Sequence, residues 1–260
     1  VPAVSDKDTV EILSVNADNV DDLGFFCQMS KRGTPGYNRK LEWLRARFAE
    51  GLRIRMLKLP ARGFIEYIPG GYAWRAIEAE GFMVIHCLWV VGRSKGKGYA
   101  SMLLKECLRD ARQAGMEGVA IVTSKQPWLV GSKLLLRHGF EQVDQAPPAF
   151  ELMVRRFGDA APPRFCGGWE RKAKQHKGRG FTILTTGQCP YNDDALGLFE
   201  EAARELDVPV KVIELKSSRE VRERAPFAQG VFNVIYEGRP FAYHHLLKKD
   251  ILKRLAQQEG

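Results

Sequence analysis

Phe82-Met83-Val84-Ile85-His86-Cys87-Leu88-Trp89-Val90-Val91-Gly92-Arg93-Ser94-Lys95-Gly96-Lys97-Gly98-Tyr99-Ala100 is the stretch on which the reading of this chain turns. From Phe82 to Val91 it is apolar apart from His86, which predicts a central strand covered on both faces. Arg93 to Gly98 then has the form R-x-x-G-x-G. Beyond it, Ala100, Leu103, Leu104, Cys107, Leu108 and Ala111 recur at helical spacing until Gly115 stops the helix. Strand, glycine loop and helix in that order make an anion cradle. Glycines let the backbone approach a ligand closely, and the first turn of a helix offers unpaired N–H groups and the positive end of its dipole. A pyrophosphate suits such a loop, and Arg93, Lys95 and Lys97 add charge. A dinucleotide-binding fingerprint differs, because it needs an early acidic partner on a second strand, whereas this loop follows several strands and its glycines fall late in the motif.

Outward from that stretch the pattern is α/β. Val10 to Val15 reads as a first strand, Leu23 to Phe26 and Leu41 to Phe48 as helical pieces, and Arg53 to Leu59 with Gly63 to Ile68 as a hairpin. Downstream come a buried strand at Gly118 to Thr123, a helix at Leu129 to His138, and a closing strand pair at Phe140 to Val143 and Phe150 to Val154. The next stretch, Asp159 to Gly180, is rich in Pro, Gly and basic residues, which sets the expected division: a first domain over 1–158, a linker over 159–180, and a smaller domain over 181–260. The pattern from Phe181 onward has the order βαβαββα.

Composition bounds what the chain can be. Its 260 residues leave room for two domains, and 45% hydrophobic with 27% charged residues is ordinary for a globular protein. Forty Lys and Arg against 31 Asp and Glu give a formal +9, much of it from the run Glu170 to Arg179, which reads as a solvated linker rather than a nucleic-acid patch. The five cysteines are an odd number with no spacing that suits a zinc site, so no metal is expected and a reduced, cytoplasmic setting is. The first residues lack an apolar signal-like core, and no run of about 18 apolar residues occurs, so neither secretion nor membrane spanning is expected.

The element order from Val10 to Phe157, the loop Arg93 to Gly98, and a late helix closing on Gly139-Phe140 together resemble the GNAT acetyltransferase superfamily, a mixed central sheet with flanking helices. Cys87-Leu88-Trp89-Val90 ahead of Lys95-Gly96-Lys97-Gly98-Tyr99, taken with the second domain, looks closest to the YoaP-like branch. The resemblance implies acetyl-CoA as co-substrate. Its pyrophosphate would lie on Arg93, Ser94, Lys95, Gly96, Lys97 and Gly98, where Tyr99 and Ala100 open the helix, and its thioester beside Leu88, Trp89 and Val90. Direct transfer to an amine of a small molecule or peptide would follow.

That chemistry needs a neutral amine, an N–H donor for the developing oxyanion, and a proton for the leaving thiolate. The N–H of Leu88 or Trp89 is the candidate donor. Many members place a Tyr on the late helix as the acid, yet the aligned position here is Leu135; Ser132, one turn earlier, or water is the substitute considered. His86, at even spacing from Leu88, is the first candidate base, with a buried structural histidine as the plain alternative; Glu66 on the hairpin is the second. Tyr72, Trp74, Trp89 and Phe150 are candidates to line an acceptor pocket, and Trp128 to meet the pantetheine arm or simply to pack.

The region from Phe181, with Cys189-Pro190-Tyr191-Asn192 between its first strand and first helix, resembles a thioredoxin-like fold in which Asn192 replaces the second cysteine of C-x-x-C. Dithiol exchange is therefore not expected, and Cys189 at a helix N-terminus is a possible monothiol. His244 and His245 read as surface or packing residues. The competing function is a CoA-binding sensor or adaptor that carries Cys189 as its reporter.

Overall fold

The computed structural model describes residues 10–125 and 129–257, so Trp128 lies outside the described residues. The first module opens with β1 (Ile12–Val15), the short α1 (Val20–Leu23) and α2 (Pro35–Phe48). Pro35 at the first helical position of α2 has φ preset for a helix and no N–H to lose. A hairpin of β2 (Arg53–Leu57) and β3 (Gly63–Pro69) follows, then a two-residue β4 (Ile77–Glu78) and the central β5 (Phe82–Val90). After the glycine loop come α3 (Tyr99–Gln113), β6 (Gly118–Ser124), α4 (Ser132–Arg137), β7 (Glu141–Ala146) and β8 (Phe150–Arg156). Seven strands form one sheet in the order β1-β2-β3-β5-β6-β8-β7, antiparallel at each neighbouring pair but β5 and β6. The amphipathic face of α3 buries Leu103, Leu104, Cys107 and Ala111 against Ile65, Met83 and Ile85 of the sheet. Each large side chain so buried contributes roughly 1.5–3 kcal/mol.

The register of the central strands positions the site. Strands β5 and β6 pair from Phe82↔Gly118 to Ile85↔Ile121 and no further, although β5 runs on beside β3 to Val90 and β6 beside β8 to Ser124. The sheet is therefore split at its centre. A bulge marks the split: Tyr67 faces Ile85 and Glu66 faces Cys87, leaving His86 as the extra residue. Bulges bend a strand and raise its twist, which carries the end of β5 away from β6. The bulge also shifts the alternation of side chains. Before it, Phe82 and Val84 join one core and Met83 and Ile85 the other; after it, Cys87 and Trp89 pack on the first and Leu88 and Val90 on the second. His86 stands with Glu66, Trp43 and Trp74, on the face opposite Leu88, so the even spacing read from the sequence does not put those two side chains together.

The stretch expected to be a linker carries structure. Strand β9 (Arg164–Phe165) pairs with β4, and α5 (Trp169–Lys174) buries Lys172 and Ala173. The Lys172 ammonium donates to the Arg222 carbonyl at 2.7 Å, so the basic run is not wholly solvated. The second module then gives β10 (Phe181–Thr185), α6 (Asn192–Glu205), β11 (Val210–Glu214), α7 (Ser218–Arg224), β12 (Phe232–Tyr236), β13 (Arg239–Ala242) and α8 (Lys248–Ala256). Helix α7 starts where Ser217 accepts from the Glu220 N–H at 3.1 Å, a cap of the usual kind. Its sheet has the order β11-β10-β12-β13, with β10 and β11 parallel and the remaining pairs antiparallel.

The two modules share a core. Phe64, Trp74, Val84 and Phe150 of the first pack in one cluster with Leu184, Val221, Phe227, Ile235 and Tyr243 of the second. The Phe150 and Tyr243 rings lie 4.6 Å apart, and the Ala76 N–H donates to the Ala228 carbonyl at 3.1 Å. Helix α2 approaches the loop before α6 so closely that a Cβ on Gly36 would come 2.3 Å from the Pro190 oxygen. Arg39 pairs with Asp193 across this contact at 3.2 Å. None of the helices described is long and apolar enough to cross a membrane.

Candidate active site

A cavity of about 750 Å³ opens where β5 and β6 part and runs between the two modules. One end is made by the glycine loop. Gly92–Ser94 forms a single 3₁₀ turn, closed by the Ser94 N–H on Val91 and the Lys95 N–H on Gly92. Ser94 is buried and its hydroxyl accepts from the Arg62 N–H at 2.9 Å, so this serine braces the loop against the hairpin. Gly96 and Gly98 have φ of +78° and +82°, left-handed conformations that strongly favour glycine, and no atom lies within 4 Å of where a Cβ would stand on either. Gly98 is the N-cap of α3 and supplies no side-chain acceptor, so the first N–H groups of that helix are available to a ligand. The loop residues Ser94, Lys95, Gly96, Gly98, Tyr99 and Ala100 line the cavity, whereas Arg93 and Lys97 are exposed outside it. Open N–H groups, a bare backbone face and Lys95 fit a diphosphate.

Leu88, Trp89 and Val90 line the cavity at the split, and Val122, Val130 and Leu134 lie among the residues lining it. It is Leu134 of α4 that faces the cavity; Leu135 is fully buried in the core beneath α3. Ser132, at the start of α4, does not line the cavity. Of the aromatic group proposed for the acceptor pocket, Trp89 lines the cavity, Trp74 and Phe150 are core residues, and Tyr72 is exposed. Tyr243 of the second module reaches the same cavity.

The other end is a chamber of buried side chains. The Lys40 ammonium on α2 lies 2.5 Å from Glu66 Oε2, with both side chains out of solvent. Glu66 Oε1 is 3.4 Å from His86 Nδ1 and accepts from Gln188 Nε2 at 3.4 Å. Burial alone would raise the Glu66 pKa, but Lys40 and the His86 contact outweigh it and hold the carboxyl at about 2. His86 Nε2 accepts from the Trp74 N–H at 3.0 Å. The proton of the neutral ring therefore sits on Nδ1, facing Glu66. Burial lowers the His86 pKa to about 4 against the pull of Glu66, so the ring is neutral; Nε2 is taken by the Trp74 N–H, while Nδ1 faces Glu66 without a well-formed hydrogen bond. Arg75 is fully buried; its guanidinium donates to the carbonyls of Trp74 and His86 and, at 2.7 Å, to Gln188 Oε1.

Three cysteines from distant parts of the chain, Cys27, Cys87 and Cys189, line this chamber. Burial is the largest cause in each case and pushes all three thiols up, Cys87 to about 12. A helix N-terminus was expected to favour the Cys189 thiolate. A hydrogen bond from the Tyr191 backbone does act in that direction, but burial prevails. Asn192, in the second motif position, donates through Nδ2 to the Thr186 carbonyl at 3.0 Å and the Val231 carbonyl at 3.3 Å, tying the loop to β10 and β12. Among the described residues no group of three or more His, Cys, Asp or Glu side chains is arranged to hold a metal ion.

Lys40, Arg75, Gln188 and Tyr243 were not found from the sequence. Lys40 had a signal, since it falls on the same helical face as Tyr37 and Leu44 and so had to be buried. Nothing local marks Arg75, Gln188 or Tyr243, which meet the site only through tertiary packing.

A split mixed sheet with an open backbone cradle beside the split is an arrangement that fits an α/β transferase working with a diphosphate-bearing co-substrate. The model of the Acetyltransferase (GNAT) family matches residues 37–140. The Bacillus subtilis (strain 168) protein described as "Uncharacterized N-acetyltransferase YoaP" is 34% identical over 247 residues, covering 94% of this chain and 97% of that protein. The chain belongs to the GNAT acetyltransferase family, and is an N-acetyltransferase with acetyl-CoA as co-substrate. Among solved structures, the ribosomal-protein-alanine N-acetyltransferase from Brucella melitensis is 14% identical, with 56% of this chain and 99% of that chain covered at a TM-score of 0.43. A GNAT family acetyltransferase from Brucella melitensis in complex with acetyl-CoA is 17% identical, with 59% and 91% covered at a TM-score of 0.37.

Proposed function

We propose that the chain transfers the acetyl group of acetyl-CoA directly to an amine of a small molecule or peptide held in the chamber between the two modules. The observation that carries this reading is the parting of β5 and β6 after Ile85 and Ile121, which opens the edge of Leu88–Val90 to the cavity that the Gly96–Gly98 cradle enters. The backbone N–H groups of the cradle and of the first turn of α3 hold the diphosphate, with Lys95 beside them. Bound acetyl-CoA supplies an activated acyl group with a thiolate leaving group. The N–H of Leu88 or Trp89 receives the acyl oxygen as negative charge develops on it.

No general base acts on the amine. Glu66 is held too acidic for that role by Lys40, and His86 has no free lone pair. The amine must lose its proton to water, so kcat/KM rises with pH toward the acceptor's own pKa and shows no break assignable to His86. The hydroxyl of Tyr243, which lines the cavity, bonds with Ser124 and stays protonated because burial raises its pKa, is our candidate donor to the departing thiolate in place of an acid at Leu135. We read the module from Phe181 as thioredoxin-like on its βαβαββα order and the position of Cys189, and its role as the outer wall of the acceptor chamber. A sensor function for Cys189 has no support in a thiol whose pKa is raised.

The test is release of free CoA from acetyl-CoA in the presence of amines, amino acids, polyamines and basic peptides. Turnover with at least one acceptor is expected. Tight CoA binding without turnover on any of them would overturn the proposal.

A further inference from the structure

The buried charges of the chamber do not cancel. Lys40 and Glu66 neutralise each other at 2.5 Å, His86 is neutral, and the three thiols that line the chamber carry no charge because burial keeps them protonated. Arg75 is left over. It is 2% exposed, lines the cavity, and forms no ion pair with a carboxylate among the described residues. Burial lowers its pKa only to about 10, so it is a cation at neutral pH. An unpaired charge taken out of water costs several kcal/mol, and the usual compensation is a counter-charge.

The donor count points the same way. A guanidinium has five N–H groups. Both on Nη1 are used, on the Trp74 carbonyl and Gln188 Oε1, and one on Nη2 is used on the His86 carbonyl. The Nε–H and the second Nη2–H have no partner among the described residues. One N–H on Nε and one on Nη2 form the side of the fork that receives a carboxylate through two parallel bonds. Glu66 does not fill that place: its carboxylate is drawn to Lys40 and Gln188, and it forms no ion pair or hydrogen bond with Arg75.

We propose that Arg75 binds an acidic group on the acetyl acceptor, which makes the acceptor class a small zwitterion with an amine and a carboxylate in one molecule. The inference rests on the acetyltransferase reading of this cavity. Arg75 is anchored on the carbonyl of His86, two residues before Leu88, a separation of about 7 Å at the usual rise of a strand. An acid bound there leaves an amine a few bonds away beside the open edge of Leu88–Val90. Amino acids with a short spacer between the two groups meet that geometry. Gln188, which links Arg75 to Glu66, brings the second module into acceptor recognition.

The experiment compares each L-amino acid with its own primary amide, by CoA release and by calorimetric binding to the full chain in the presence of CoA. A selected amino acid should exceed its amide in kcat/KM by about 10- to 100-fold, chiefly through KM, as expected for a bidentate charged contact. Arg75→Gln should bring that ratio near one while CoA affinity is retained, and Arg75→Lys should restore part of it. Equal turnover of acids and amides by the unaltered chain overturns the Arg75 assignment and leaves acetyl transfer standing, whatever the stability of the variants. No turnover or binding of any amine overturns both.

Discussion

The two ends of the cavity are built on opposite principles. At the end proposed to take the cofactor, the groups open to a ligand are backbone N–H atoms of the Gly96–Gly98 loop and the first turn of α3, Arg93 and Lys97 lie outside the cavity, and glycines keep the surface open. At the acceptor end the backbone is already paired, and side chains from α2, β3, β5 and the second module meet out of solvent. A cradle of the first kind needs only a local turn and tolerates change around it. A chamber of the second kind is coupled, since each buried charge depends on another for its compensation.

That contrast is broken or sharpened most by removing one partner of the buried pair. Lys40→Met leaves Glu66 buried without its paired cation, and should cost about 3–5 kcal/mol in urea unfolding, whereas Lys40→Met with Glu66→Leu should recover most of the loss. Acid should expose the same coupling. His86 has a folded pKa of about 4 against 6.5 unfolded, and Glu66 about 2 against 4.5. Both folded values are depressed, so the unfolded chain binds the extra protons as pH falls. The His86 contribution is complete above about pH 6.5 and lost by about pH 4; that of Glu66 is complete above about pH 4.5 and lost toward pH 2. Denaturation midpoints across this range should fall in two overlapping steps, and Glu66→Gln should remove the lower one.

Tyr243→Phe should lower kcat by roughly 10²-fold with acetyl-CoA affinity unchanged, which separates the second module's chemical role from its packing role. An unchanged kcat would assign Tyr243 to the core alone. The smallest effect belongs to the cradle. Gly96→Val places a branched side chain at φ +78°, where L residues pay about 1–2 kcal/mol, and should weaken CoA binding about tenfold and lower the melting temperature by a few degrees. An unchanged dissociation constant would remove the loop from the cofactor site.

Much of the first module was legible. Strand, loop and helix from Phe82 to Ala111 fall where the apolar runs and glycines put them, because period and turn chemistry are local properties of the chain. The helix over Pro35–Phe48 began earlier than its apolar residues suggested, since Pro35 rather than hydrophobicity sets its start. The late helix is shorter, Ser132–Arg137, and its cavity-facing residue is Leu134 rather than Leu135. The stretch Asp159 to Gly180 read as a tether from its Pro, Gly and Lys content, but Phe165 pairs into β9 and Ala173 packs in the core, contacts that composition does not encode.

His86 shows most clearly where reading the sequence ends. Alternation along a regular strand put it beside Leu88, and the bulge opposite Glu66 and Tyr67 turned it to the other face, where the Trp74 N–H takes Nε2 and Nδ1 faces Glu66 at 3.4 Å. The sequence by itself determined the anion cradle, because a strand, a glycine loop and a helix N-terminus are contiguous and their geometry follows from backbone conformation. Only the tertiary structure decided the acceptor chamber. Its residues, Lys40, Glu66, Arg75, His86, Gln188 and Cys189, are separated by up to 149 positions and acquire their charge states from burial and from one another, neither of which exists until the two modules share a core.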